Sequence, residues 1–73
     1  MYLKHLQYLE LVVQHGSQSA AARAAGVSQS AIAQAMQALE RHWGCVLFER
    51  AGRRKRPTPA ALEAARRAAE LRR

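Results

Sequence analysis

Between Tyr2 and His15 the apolar positions Tyr2, Leu6, Leu9 and Val13 recur every three or four residues, with Leu3 beside them. That spacing predicts a helix with one apolar face, ended by Gly16 as a C′ residue. Ser17 or Ser19 can cap a second helix, short and rich in alanine (Ala20, Ala21, Ala22, Ala24, Ala25), which runs to about Ala25. Gly26-Val27-Ser28 interrupts, and the next segment carries the clearest periodicity in the chain. Ile32, Met36, Leu39 and Trp43 form one apolar stripe, while Ser30, Ala33, Gln34, Gln37 and Arg41 follow the same spacing on another face, polar and nearly free of acids. Ser28 is the natural N-cap of this helix, its oxygen placed to accept from the N–H of Ser30 or Ala31. Gly44 closes it.

Two short extended pieces follow, Val46 to Arg50 and Lys55 to Thr58, around Ala51-Gly52-Arg53-Arg54. They predict a β-ribbon over about 46–57 with Gly52 and its flanking arginines at the tip, the second strand kept brief by Pro57. Thr58-Pro59 is a cap followed by proline at N1, opening a last helix with Ala61, Leu62, Ala65, Ala68 and Ala69 on one side. Within this plan residues 18–37 stand out. Two short helices packed across a tight turn need small side chains in the first, a glycine in the turn and a capping hydroxyl before the second, and all three are present. The expected fold is mainly α: a helix-turn-helix in a three-helix core, a two-stranded ribbon, and a C-terminal helix over 59–73 after a domain over 1–58.

Seventy-three residues make one small domain, and a chain this short buries only about 60% of its unfolded surface. With so much of the apolar content in alanine, a thin core completed by dimerisation is expected. The net charge of +7 is unevenly placed: residues 1–48 carry +1 and residues 49–73 carry +6. A positive field concentrated in one third of the chain suits a polyanion. The single cysteine, Cys45, excludes an internal disulfide, fits a reducing cytoplasm, and reads as a small buried hydrophobe in an apolar run. No run approaches transmembrane length, and the first residues lack the apolar core expected of a signal peptide. His5, His15 and His42 are not at metal-ligand spacing, and no nucleophile elbow, phosphate loop or acidic pair is present, so neither enzyme chemistry nor a cofactor is expected.

The second helix of a helix-turn-helix enters the major groove N-terminus first. Gln29 can then pair bidentately with adenine, Ser30 with several bases, Ala33 can meet a thymine methyl, and Gln34 lies one turn on. Arg53, Arg54, Lys55 and Arg56 sit at the ribbon tip, where long cations can enter a minor groove or grip phosphates. Arg50, Gln37 and the helix ends at Ser17 and Ser28 complete the candidate phosphate contacts. A plain basic patch, binding nucleic acid without sequence preference, is the competing reading. A membrane-active amphipathic peptide is the third, opposed by apolar faces committed to a core.

With those residues in place, the chain resembles the N-terminal DNA-binding domain of LysR-type transcriptional regulators over roughly residues 3 to 61. The likeness is carried by Leu3, Leu6, Tyr8, Val12, Gly16-Ser17, Ala21-Ala22, Val27-Ser28-Gln29 and Ala31. It is densest through Leu39-Glu40, Gly44, Leu47-Phe48-Glu49-Arg50, Gly52-Arg53-Arg54, Arg56 and Thr58. The resemblance implies a winged helix-turn-helix that docks on double-stranded DNA as a dimer, reading an inverted repeat through its third helix. It implies that Gln29, Ser30, Ala33, Gln34 and Arg53 face DNA, Arg53 in the minor groove, in a bacterial cytoplasm. It also implies that the last helix is a linker helix pairing with its twin through Ala61, Leu62, Ala65, Ala68 and Ala69. The chain departs from the family at Ser30, usually proline, at Ala33-Gln34, usually Ser-Arg, at Gln18, commonly aromatic, and at Ala25, commonly leucine. Without the arginine at 34 a strong guanine reader is lost, so base preference should differ. The run Gly26 to Ile32 is also similar to the motif of phage Cro-type repressors, which supports Gln29 and Ser30 as base readers. The effector-binding domain of the family is absent from these residues, so no small-molecule effector is expected to act within them.

Overall fold

A computed structural model describes residues 2–71, Tyr2 by its backbone alone. The place given to the Tyr2 side chain on the apolar face, and the last two residues of the C-terminal helix, lie outside the described residues. The elements run α1 (Tyr2–His15), α2 (Gln18–Ala25), α3 (Gln29–Trp43), β1 (Phe48–Ala51), β2 (Arg54–Pro57) and α4 (Pro59–Leu71). Helices α1, α2 and α3 pack on one another and α4 lies against α1. None of the described helices is long and apolar enough to cross a membrane.

The local signals act where the sequence places them. Ser17, not Ser19, caps α2, accepting from the Ala20 N–H at 3.0 Å. Ser28 caps α3, accepting from the Ala31 N–H at 3.1 Å. The turn between the two helices depends on Gly26, whose φ of 72° is left-handed. Nothing crowds the position where a Cβ would stand, so glycine is needed there for the backbone angle and not for space. Val27 then donates back to the Ala22 carbonyl at 3.1 Å, closing the end of α2.

The core is as thin as the composition implies. Leu9, Ile32, Met36, Leu39 and Leu47 are its large, fully buried side chains, with Val12, Ala21, Ala22, Ala35, Ala61 and Ala65 filling between them. The α3 stripe is confirmed for Ile32, Met36 and Leu39, whereas Trp43 at its end is half-buried. On α1 the expectation needs correction. Val12 is buried while Val13 is half-buried, and Leu3 is 58% exposed, because α2 and α4 cover the face centred on Leu9 and leave the first turn open. Cys45 is also half-buried instead of enclosed.

The ribbon is shorter than expected. Its strands begin at Phe48, not at 46, and pair antiparallel from Phe48 opposite Pro57 to Ala51 opposite Arg54. Gly52, with φ 67°, occupies the first of two turn positions, and Arg53 keeps a negative φ. That is the pattern of a type II′ hairpin turn. Leu47 is withdrawn from the strand because its side chain is in the core.

The C-terminal helix departs most from expectation. Ala61, Ala65 and Ala68 are buried within the protomer, while Leu62 is 51% exposed and Ala69 is exposed. The five residues assigned to one pairing face therefore split. Three serve the fold of their own chain, because an alanine stripe lets α4 close on α1. Leu62 and Ala69, seven residues apart, remain on the outer side.

Along the outer surface of α4, Arg66 bonds Glu63 at 2.6 Å and Glu70 at 2.7 Å, and Arg67 bonds Glu63 at 3.0 Å. Hydrogen bonds from Arg66 and Arg67 hold the Glu63 carboxyl below its ordinary range. A carboxyl lowered in the folded state adds stability above its unfolded pKa and loses it as pH falls through the folded one. Glu63→Gln is therefore expected to flatten the acid side of the melting-temperature profile at low salt. About 1 M salt should erase the difference between the two chains, since the network is solvent-exposed. For the core, Leu39→Ala is expected to cost about 2–5 kcal/mol in urea denaturation. Leu3→Ala should stay within about 0.5 kcal/mol.

Candidate nucleic-acid interface

The capped start of α3 determines which of its residues are presented. Gln29 and Ser30, the first two helical positions, are exposed, and so are Gln34, Gln37 and Arg41 further along. At about 100° per residue, Ser30, Gln34, Gln37 and Arg41 share one outward face. Gln29 and the half-buried Ala33 lie to one side of it. No aspartate or glutamate stands on this face.

That sideways position brings Gln29 to the ribbon. A cleft of about 330 Å³ opens between the N-termini of α2 and α3 and the ribbon tip. Val12, Phe48 and Pro57 provide its apolar lining, and Ser17, Gln18, Ser19, Gln29, Arg53, Arg54 and Lys55 its polar lining. Residues far apart in sequence thus converge: a helix start at 17–19, another at 29, and three cations from 53–55. Gln34 does not join them. It lies in a shallow groove on the α1 side of α3, with Lys4, Tyr8 and Arg41.

Strand alternation sorts the ribbon cations. Arg50 stands opposite Lys55, and Glu49 opposite Arg56, so the two pairs point to opposite faces. Arg56 donates to Glu49 across the ribbon at 3.3 Å. The pair is exposed and weak, and it holds the guanidinium on the face away from Arg50 and Lys55. Among the described residues Arg50, Arg53, Arg54 and Lys55 make no salt bridge. The ribbon carries five cations against Glu49, whereas the arginines of α4 are matched by Glu63 and Glu70. Among the described residues of the C-terminal third, the free positive charge therefore belongs to the ribbon.

Ser17 and Ser28 enter this surface through the helix ends they cap. Their oxygens accept from Ala20 and Ala31. What they present to an anion is the helix start behind them, the N–H groups at Gln18-Ser19 and Gln29-Ser30, which precede the helical ladder. From the sequence Ser19 is only a candidate cap, Gln18 only a departure from the family, and Lys4 a residue without a role. Each is an unremarkable polar residue until the tertiary structure sets Gln18 and Ser19 in the cleft and Lys4 beside Gln34.

Comparison with known proteins agrees with this geometry. Residues 3–62 match the family described as bacterial regulatory helix-turn-helix protein, lysR family. The chain is 41% identical over 74 residues to the HTH-type transcriptional regulators TfdS and TdfR of Cupriavidus pinatubonensis, covering 97% of its own length and 25% of theirs. It therefore spans about a quarter of those relatives. Among solved structures it is similar to the CbnR DBD–DNA complex, with TM-score 0.88 and 37% identity over 97% of this chain and 82% of that one. The BenM DBD/catB site 1 DNA complex follows at TM-score 0.87 and 32% identity, covering 97% of this chain and 79% of that one.

The cap assignments are open to a direct check. Ser17→Ala and Ser28→Ala are each expected to cost about 1 kcal/mol in urea denaturation. Ser19→Ala, whose oxygen accepts from the exposed Arg23 at 3.2 Å, should change stability by less than about 0.5 kcal/mol.

Proposed function

The chain belongs to the lysR family of bacterial regulatory helix-turn-helix proteins, and we propose that it binds double-stranded DNA in a sequence-dependent way as the reading head of a transcriptional regulator. The observation that carries this reading is the convergence of an acid-free, exposed α3 start with the unpaired ribbon cations on one cleft. In this arrangement α3 lies in the major groove, with Gln29 and Ser30 at base edges, Gln34 one turn further and Ala33 against a thymine methyl. Arg53, at the turn, enters the flanking minor groove. Arg50, Arg54, Lys55 and Gln37 meet phosphates, helped by the helix starts at Ser17 and Ser28.

The molecule acts as a homodimer on an inverted repeat. With Ala61, Ala65 and Ala68 occupied inside the protomer, the pairing surface on α4 reduces to the outer stripe at Leu62 and Ala69. Little apolar area lies there, so pairing through these residues is weak without DNA.

Titration of a cognate inverted repeat and of scrambled duplex at two salt concentrations tests the reading. A dimer neutralising about six to ten phosphates should lose roughly 10³–10⁵-fold in affinity from 50 to 200 mM salt. Equal affinity for both duplexes would replace sequence reading by non-specific binding. Gln29→Ala is expected to cost about 1–3 kcal/mol and relax preference at one base position. Arg54→Ala should weaken all sequences alike and lower the salt slope by about 1.

A further inference from the structure

The ribbon can place Arg53 in a groove only if its root is held in a constant position relative to α3, and one side chain on α3 makes that connection. Glu40 sits one turn before the end of the helix. Its backbone carbonyl accepts from Gly44 at 2.8 Å and Cys45 at 3.3 Å, which closes the helix. Its carboxylate reaches further, accepting from the Leu47 N–H at 2.9 Å. This hydrogen bond belongs to neither helix nor ribbon.

On the other side of the chain, Thr58 completes the clasp by holding this peptide and the next. Its N–H donates to the Leu47 carbonyl at 2.9 Å, and its hydroxyl donates to the Val46 carbonyl at 2.8 Å. The same oxygen accepts from the Ala61 N–H at 3.3 Å, so it also caps α4. The Leu47 side chain, fully buried, pins the third direction. Burial holds Leu47 in the core and Thr58 ties its backbone to the start of α4, but neither of these hydrogen bonds reaches α3. The charge-assisted bond from the Leu47 N–H to Glu40 fixes the ribbon root relative to α3.

We propose that Glu40 is a positioning residue for DNA reading, whose carboxylate sets where Arg53 stands relative to Gln29 and Ser30. The proposal rests on the DNA-binding reading above. The ribbon acts as a lever. From Leu47 to the turn is about 16 Å at strand rise, so a tilt of roughly 10° at the root displaces the tip by about 3 Å. A shift of that size separates a minor-groove contact from none. Gln keeps an oxygen that accepts from Leu47, whereas Met keeps the volume and helix propensity and loses the acceptor.

The test is a mutant cycle read with a duplex that the wild-type chain selects from a random-sequence pool. Arg53→Ala is expected to weaken binding about tenfold in the wild type and in Glu40→Gln, but less than about threefold in Glu40→Met. Amide exchange of the same chains should show Leu47 protected in the wild type and Glu40→Gln, and exposed in Glu40→Met while α3 stays protected. If Glu40→Met does not fold, Thr58→Val opens the same root from its other side and the cycle is read there. An undiminished Arg53→Ala penalty in a folded variant with an open root overturns the positioning role and leaves the DNA reading intact. Rapid Leu47 exchange in the wild type overturns it too. No Arg53→Ala penalty in the wild type overturns the wing contact itself, and the proposal with it.

Discussion

The close approach of four helices through alanine is the constraint on which everything else in this molecule depends. Leu9, Ile32, Met36, Leu39 and Leu47 are too few to fill a domain whose helices stand at ordinary spacing. Ala21 and Ala22 on α2, Ala35 on α3, and Ala61 and Ala65 on α4 bring the backbones close enough for those five side chains to touch. Small residues bury little area each, so the net stability of such a core is modest. Its advantage is geometric. Backbones in close contact have few alternative arrangements, and α3 is thereby presented at a defined angle with its polar face outward.

Charge follows the same economy of parts. Four of the five acids are spent on structure: Glu40 on the Leu47 N–H, Glu49 on Arg56, and Glu63 and Glu70 on the arginines of α4. Among the described residues of the C-terminal third, the cations left without a salt bridge stand on the ribbon, at the edge of the cleft that Gln29 borders. A polyanion is attracted most strongly where cations are not already neutralised by their own chain. In this way α4 remains electrically quiet although it is rich in arginine, and the field points where α3 and the ribbon meet.

Much of this plan is legible in the residues because it is local. A hydroxyl three residues before an unpaired N–H is a cap wherever the chain goes, as Ser28 and Thr58 are. A glycine with nothing around it and a positive φ, such as Gly26, is a turn on conformational grounds alone. The α3 stripe is legible for the same reason, since helical period orders Ile32, Met36 and Leu39 without reference to what they meet. Ser17 against Ser19 was left open by the sequence, because both stand within reach of the same helix start and only the backbone path selects between them.

The remainder depends on which segments become neighbours. An alanine stripe on α4 is equally suited to a partner helix or to α1, and packing against α1 took Ala61, Ala65 and Ala68. Arg56 is one cation among five until register sets it opposite Glu49. Glu40 is a helical glutamate until the chain turns back to offer it the Leu47 N–H. The sequence by itself determined the elements, their caps and the sign of the field, since these follow from residues within a few positions of one another. Only the tertiary structure decided which faces are used up, which cations stay free and what holds the ribbon to the helix, because each requires groups distant along the chain to meet.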